Sequence, residues 1–251
     1  MDFIYSVFFL ILGLILGSFY NVVGLRVPKK TFFSTSRSIC PACKYTLRWY
    51  ELIPVVSFII QKGRCRGCKQ QISVLYPVVE SLTGIGFLLA YLYFDISISL
   101  CITLCLISLF AIIIVSDLRY MIIPNRILLA FLPIMVVLRV LSPLDPWWSS
   151  LFGAAAGYGT VALIILISRG GMGGGDMKLL GLLGILLGFP YILLAFFLAN
   201  VIGLAFSLVI LAKNGWKRKQ EVPFGPSIML GAIVTYLWGG EIVLAYMQLL
   251  W

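Results

Sequence analysis

The sequence predicts an all-α polytopic membrane protein: about eight transmembrane helices and a small cytoplasmic four-cysteine, zinc-ribbon-like loop. Three observations predict it. Of 251 residues, 61% are hydrophobic and 11% charged, and the mean hydropathy is +1.07; soluble domains carry about a quarter charged residues. Apolar runs of roughly twenty residues, long enough to cross a bilayer, recur along the chain. The positive charge is clustered, with ten of the 19 Lys and Arg lying between Arg26 and Lys69.

The runs fall in order at 3–25, 72–94, 96–116, 125–141, 147–168, 176–189, 191–212 and 224–249. The first has no basic residue before it and no small-residue cleavage site, so it reads as a retained helix and not a signal peptide. The sixth is short, and Pro190 closes it; whether it crosses decides the side of the last two loops. The chain divides into a first transmembrane helix (1–25), a Cys-rich basic loop (26–70) and a membrane core (71–251).

Charge orients these helices. The loops at 26–70, 117–125, 169–175 and 213–223 all carry Lys or Arg. The alternate loops, around Asp95, at 143–148 and at Pro190, carry none, with only Arg139 near that side. Basic loops stay in the cytoplasm, so both ends of the chain face outward. The net charge of +10 is then that of loops facing the lipid bilayer, and no nucleic-acid partner is expected.

The chain has no histidine. This excludes Ser-His and Cys-His nucleophiles and His-ligated metals. Hydrolysis would have to come from carboxylates, a lysine-assisted serine or a cysteine-bound metal. Cys40-Pro-Ala-Cys43 and Cys65-Arg-Gly-Cys68 are two CxxC pairs separated by 21 residues, one beyond the usual window for such pairs. In a reducing compartment they suit a closed, structural zinc site that staples a loop too polar to have a core. The competing reading is two redox or incidental pairs. Cys101 and Cys105 read as small packing residues.

Of nine carboxylates, only Glu80, Asp117 and Asp176 lie at or within membrane segments, where an acid is a functional candidate by default. Alternation of the loops puts Asp117 and Asp176 at the same depth on the cytoplasmic side. Asp176 follows Gly170-Gly-Met-Gly-Gly-Gly175, and glycine lets another chain approach closely. Two aspartates sharing a proton are the minimum apparatus for activating water against a peptide bond, one as base and one as acid. Asp176, opening a helix, is the expected more acidic partner. The bland alternative pairs the two with Arg119 and Lys178 as interfacial anchors. Pro223-Phe224-Gly225-Pro226 opens the last helix; it reads as a helix start, or as unpaired backbone for an extended substrate.

Taken together these motifs resemble the type IV prepilin peptidases, a family of GxGD intramembrane aspartyl proteases. The likeness is carried by Gly17-Ser-Phe-Tyr-Asn21, the two CxxC pairs, Trp49-Tyr-Glu-Leu-Ile-Pro54 with Ser57, and Tyr76-Pro77 with Glu80. It continues through Asp117 with Pro124-Asn125, Gly173-Gly-Gly-Asp-Met-Lys178, and Pro223-Phe-Gly-Pro226. The resemblance implies cleavage of short basic leaders from type IV prepilin-like precursors at the cytoplasmic face of the plasma membrane, with Asp117 and Asp176 as the catalytic pair. Many relatives have a second acid two places after the first aspartate; here that place is Arg119. The resemblance also implies, for larger members, N-methylation of the new N-terminus by S-adenosylmethionine, tied to the first loop. Chain length and the full Cys tetrad are consistent with a competence-pilus branch of Gram-positive bacteria.

Substrate contacts are expected from Gly173, Gly174, Gly175, Pro223, Phe224 and Gly225. A basic leader meeting a basic face needs counter-charges, and Glu51, Glu80 and Glu221 are the ones available. Three rivals remain: a transporter or channel using membrane acids, whose acids belong nearer the midplane; a Ser-Lys peptidase built on Lys178; and a non-enzymatic zinc-loop scaffold of a secretion machine.

Overall fold

A computed structural model describes residues 2–32, 37–169, 171–214 and 223–250. Gly170, Glu221 and the basic run 217–219 lie outside the described residues. The chain forms two compact units, residues 1–119 and 120–251.

The first unit opens with α1 (Asp2–Arg26) and the Cys-bearing loop. The loop holds a 3-10 turn, η1 (Trp49–Leu52), and a short helix, α2 (Val56–Ile60). Neither was expected from the sequence. Then come α3 (Leu75–Phe94) and α4 (Ile98–Tyr120). α1 and α3 meet through small residues: a side chain on Gly13 would lie 2.7 Å from the Thr83 carbonyl, and one on Gly17 2.9 Å from Glu80 Cα. Small-xxx-small spacing lets membrane helices approach to backbone contact. Further along α1, Gly24 packs against Ile112 and Val115 of α4, and Tyr20 donates a 2.7 Å hydrogen bond to Ser108 of α4. Ser97 caps α4, its hydroxyl accepting from the Leu100 N–H at 3.2 Å. α4 is the most buried helix of the unit, with Leu106, Leu109, Ile113 and Val115 fully enclosed. Cys105 is buried there as expected, whereas Cys101 is exposed.

The second unit holds α5 (Asn125–Leu141), α6 (Ser149–Ser168), α7 (Gly174–Leu187), α8 (Tyr191–Asn214) and α9 (Gly225–Leu250). α7 is its core. Leu179, Leu180, Leu182, Leu183, Leu186 and Leu187 are all buried, and helices α5, α6, α8 and α9 all touch it. Its far end is held by Arg139 of α5, whose Nε donates to the Leu186 carbonyl at 2.7 Å. Its junction with α8 is fixed by Ser149, whose hydroxyl donates to the Phe189 carbonyl at 2.8 Å. α6 and α7 touch backbone to backbone where Gly153 faces Gly184. Gly184→Ala would set a methyl group onto the Gly153 backbone, and neither helix can yield. The expected cost is about 3 kcal/mol or more, read as a loss of folded protein in detergent thermal scans.

Six helices (α1, α3, α4, α6, α8 and α9) are long and apolar enough to cross a membrane, as a multi-pass membrane protein requires. The expected count of about eight is not confirmed by this criterion, which α5 and α7 fall short of in length. α5 has 17 residues and α7 has 14, about 26 and 21 Å of helix against a hydrocarbon core of about 30 Å. The apolar character of α7 accords with its burial in protein, and a helix hydrophobic all round is as much a core helix as a span.

Candidate active site and metal centre

The Cys-bearing loop is built from two near-copies of one turn. In the first, Cys40 N–H donates to Tyr45 O and Lys44 N–H to Cys40 O, both at 2.9 Å; in the second, Cys65 donates to Gln70 and Lys69 to Cys65 at the same distance. Lys44 and Lys69 occupy the same left-handed conformation, at φ 58° and 60°. Single antiparallel bridges, Ile39 to Thr46 and Arg64 to Gln71, close each turn.

The two turns present four thiols to one point. All four Sγ atoms lie within 4.8 Å of one another, with Cys40–Cys68 and Cys43–Cys65 each 3.9 Å apart. Thiolates held tetrahedrally at about 2.3 Å from zinc would be about 3.8 Å apart, so the residues fit such an ion. The separations are far from a sulfur–sulfur bond, and all four cysteines are free. The backbone N–H groups of Cys43 and Ala42 pull the Cys40 thiol down to about 6. Cys43 is pushed up to about 11, since desolvation and the adjoining thiols outweigh the Tyr45 N–H that favours its thiolate. Four sulfurs this close ionise together only around a cation.

Glu51 joins η1 to the second turn. Its side chain accepts from the Arg48 N–H at 2.8 Å and faces Arg66 Nε at 3.5 Å, and the Arg66 guanidinium also lies over the Tyr50 ring. Glu80 is buried on α3. Its carboxylate accepts from the Val55 N–H at 2.7 Å. Two of the three acids expected as counter-charges to a basic leader, Glu51 and Glu80, are thus engaged inside the protein. Sequence reasoning missed the Val55 contact. Val55 has φ 60°, ψ −49°, and the Val56 N–H closes on the Pro54 carbonyl at 2.5 Å: a γ-turn of the rare, strained hand. A β-branched residue held there costs about 1–3 kcal/mol, and no local sequence signal announces it.

Asp117 sits in the last turn of α4, buried at 5% exposure next to fully enclosed Ser116. Asp176 sits in the first turn of α7, half-buried, its N–H donating to the Gly173 carbonyl at 3.1 Å. The three glycines before it differ. A side chain on Gly173 would meet Asp176 Oδ2 at 3.1 Å; one on Gly175 would meet Ile123 at 3.0 Å; one on Gly174 would meet nothing within 4 Å. Gly174→Ala should therefore leave thermal stability unchanged, while Gly175→Ala, which must push Ile123 aside, should cost about 1 kcal/mol. Lys178, exposed, donates to Asn125 Oδ1 at 3.1 Å. This ties the start of α7 to the start of α5. At the head of α9, Phe224 fills the notch over Gly203 of α8, where a side chain would fall 2.8 Å from its ring. Pro223 is half-buried and Gly225 buried.

Comparison with known proteins matches this architecture in two parts. Residues 11–94 fit the bacterial peptidase A24 N-terminal domain, and residues 104–208 the type IV leader peptidase family. A prepilin leader peptidase/N-methyltransferase of Bacillus subtilis (strain 168) is 42% identical over 95% of this chain and 96% of its own. Proteins of the same description from Vibrio cholerae (31% identical; 94% of this chain, 98% of theirs) and Myxococcus xanthus (33%; 88% and 69%) are also similar. No solved structure matches the chain. With both domains matched in order and such identity across nearly its full length, the chain belongs to the type IV leader peptidase family.

Proposed function

We propose that this protein cleaves the leader from type IV prepilin-like precursors and then methylates the new N-terminus. The family and the named activity of its relatives support the reading. The observation that carries the chemistry is Asp176, on the first turn of a buried helix behind a glycine with open space beside it. We assign Asp117 as its partner, the other acid at a helix end that faces the basic loops. One aspartate takes a proton from water as the hydroxyl attacks the carbonyl carbon of the scissile bond. The C–N bond then breaks as the other, protonated, aspartate gives its proton to the leaving amine. The dipole of α7 favours the ionised form of Asp176, which makes it the base.

The clustering of Lys and Arg in alternate loops supports the cytoplasmic face of the plasma membrane as the location of this chemistry. Zinc is the ion assigned to Cys40, Cys43, Cys65 and Cys68, in a structural role, because four sulfurs close the coordination sphere. S-adenosylmethionine supplies the methyl group when bound. No nucleotide-binding turn after a strand occurs among the described residues, so no step is assigned through it. The test is direct. Purified protein in nanodiscs is mixed with a prepilin and S-adenosylmethionine, and the product mass is measured. Loss of the leader plus one methyl group is expected; an unchanged prepilin overturns the reading.

A further inference from the structure

The strained turn at Val55 is the point where the metal-binding loop meets the membrane helices. Among the described residues, Val55 is the one β-branched residue at positive φ. Its N–H points at Glu80 Oε2, 2.7 Å away. Glu80 is 7% exposed, and α1 lies against its backbone through the missing side chain of Gly17. Glu80 therefore joins three pieces: its carboxylate holds the loop to α3, and its backbone lies on α1. From there α1 continues to Gly24, packed on Ile112 and Val115 just before Asp117. Strain of this kind persists only where its surroundings hold it, and the holding group is a buried acid 25 residues away.

We infer that Glu80 is a positioning residue whose carboxylate clamps the strained Pro54–Val56 turn onto the α1–α3 pair, fixing where the Cys-bearing loop stands on the membrane helices. This inference rests on the geometry of the first unit; only its activity readout rests on the proposed cleavage. A carboxylate that instead read a basic leader would behave differently, and substitutions separate the two roles. Gln keeps an oxygen to accept the Val55 N–H but has no charge to meet a cation. Glycine at 55 takes the positive φ freely and no longer needs a clamp.

The experiment uses the full chain in nanodiscs, with hydrogen exchange over residues 52–60 and cleavage kinetics on a prepilin. Glu80→Ala should speed exchange in that segment about tenfold, the worth of one charge-assisted hydrogen bond, and raise KM more than it lowers kcat. Exchange within α3 serves as the control for insertion. Glu80→Gln should recover most of both effects, and Val55→Gly should restore KM in the Glu80→Ala background. If Glu80→Ala does not insert, Glu80→Asp, which keeps the charge but draws the carboxylate back from the Val55 N–H, should show the same exchange change at smaller size. Unchanged exchange at 52–60 in an inserted Glu80→Ala protein overturns the clamp. So does a Glu80→Gln protein as impaired as Glu80→Ala with the segment still protected, because then the charge itself is what the substrate needs.

Discussion

Asp117→Asn and Asp176→Asn should each abolish leader cleavage in a protein that still folds and inserts. Asparagine keeps the shape of the side chain, so the buried surroundings of Asp117, with Val115 and Ser116 fully enclosed, need not repack. What it removes is the ability to take or give a proton. A general acid or base contributes about 10²- to 10⁴-fold, and two groups that work as a unit lose their effect together, so the double variant should be no slower than either single one. Processing of a co-expressed prepilin, followed by mass, measures this. An inserted single variant that still cleaves removes the dyad assignment. Lys178→Ala, which breaks only the bond to Asn125, should cleave; if it does not, a lysine-assisted serine regains its claim.

Cys40→Ser should take the metal content from about one zinc per chain to none and open the loop. Zinc-finger peptides draw about 10–16 kcal/mol of apparent binding energy from such a site at neutral pH. Little in this loop could replace it: Cys40 and Cys65 are buried, but Trp49, Ile59 and Ile60 are exposed. Metal analysis of the purified protein and tryptic digestion of the loop read the two effects separately. Cys101→Ser, on the exposed side of α4, is the control that should change neither. Full zinc retention in Cys40→Ser would exclude the four-thiol site.

Much of this was legible because its causes are local. Two residues between cysteines set a knuckle, and the tetrad converged as the spacing implied. Apolar runs marked the ends of all eight long helices to within four residues, since burial in lipid or in protein both demand them. What escaped has causes far along the chain. The Val55 turn is dictated by Glu80, and valine is among the last residues that propensity would place at positive φ. The helical turns at 49–52 and 56–60 sit in a stretch, Trp49 to Ile60, whose mixture of polar and apolar residues has no clear period. For the run 176–189 composition marks the helix, but it does not tell a lipid neighbour from a leucine neighbour, so the sequence left open whether it crosses. Gly173, Gly174 and Gly175 read alike in sequence, and only their separate neighbours (a carboxylate, open space, an isoleucine) tell them apart.

The burial of α7 has a consequence for how motion is distributed in time. From Leu179 onward α7 is lined with buried leucines and tied at its far end by Arg139, so its amides there open only when much of the unit opens. Asp176 stands one turn before that slow segment, in a first turn whose Gly174 and Lys178 are exposed, and helix ends open more readily than enclosed interiors. Adjustment to a passing polypeptide falls to that first turn, while the buried length behind it holds its bearing from one turnover to the next.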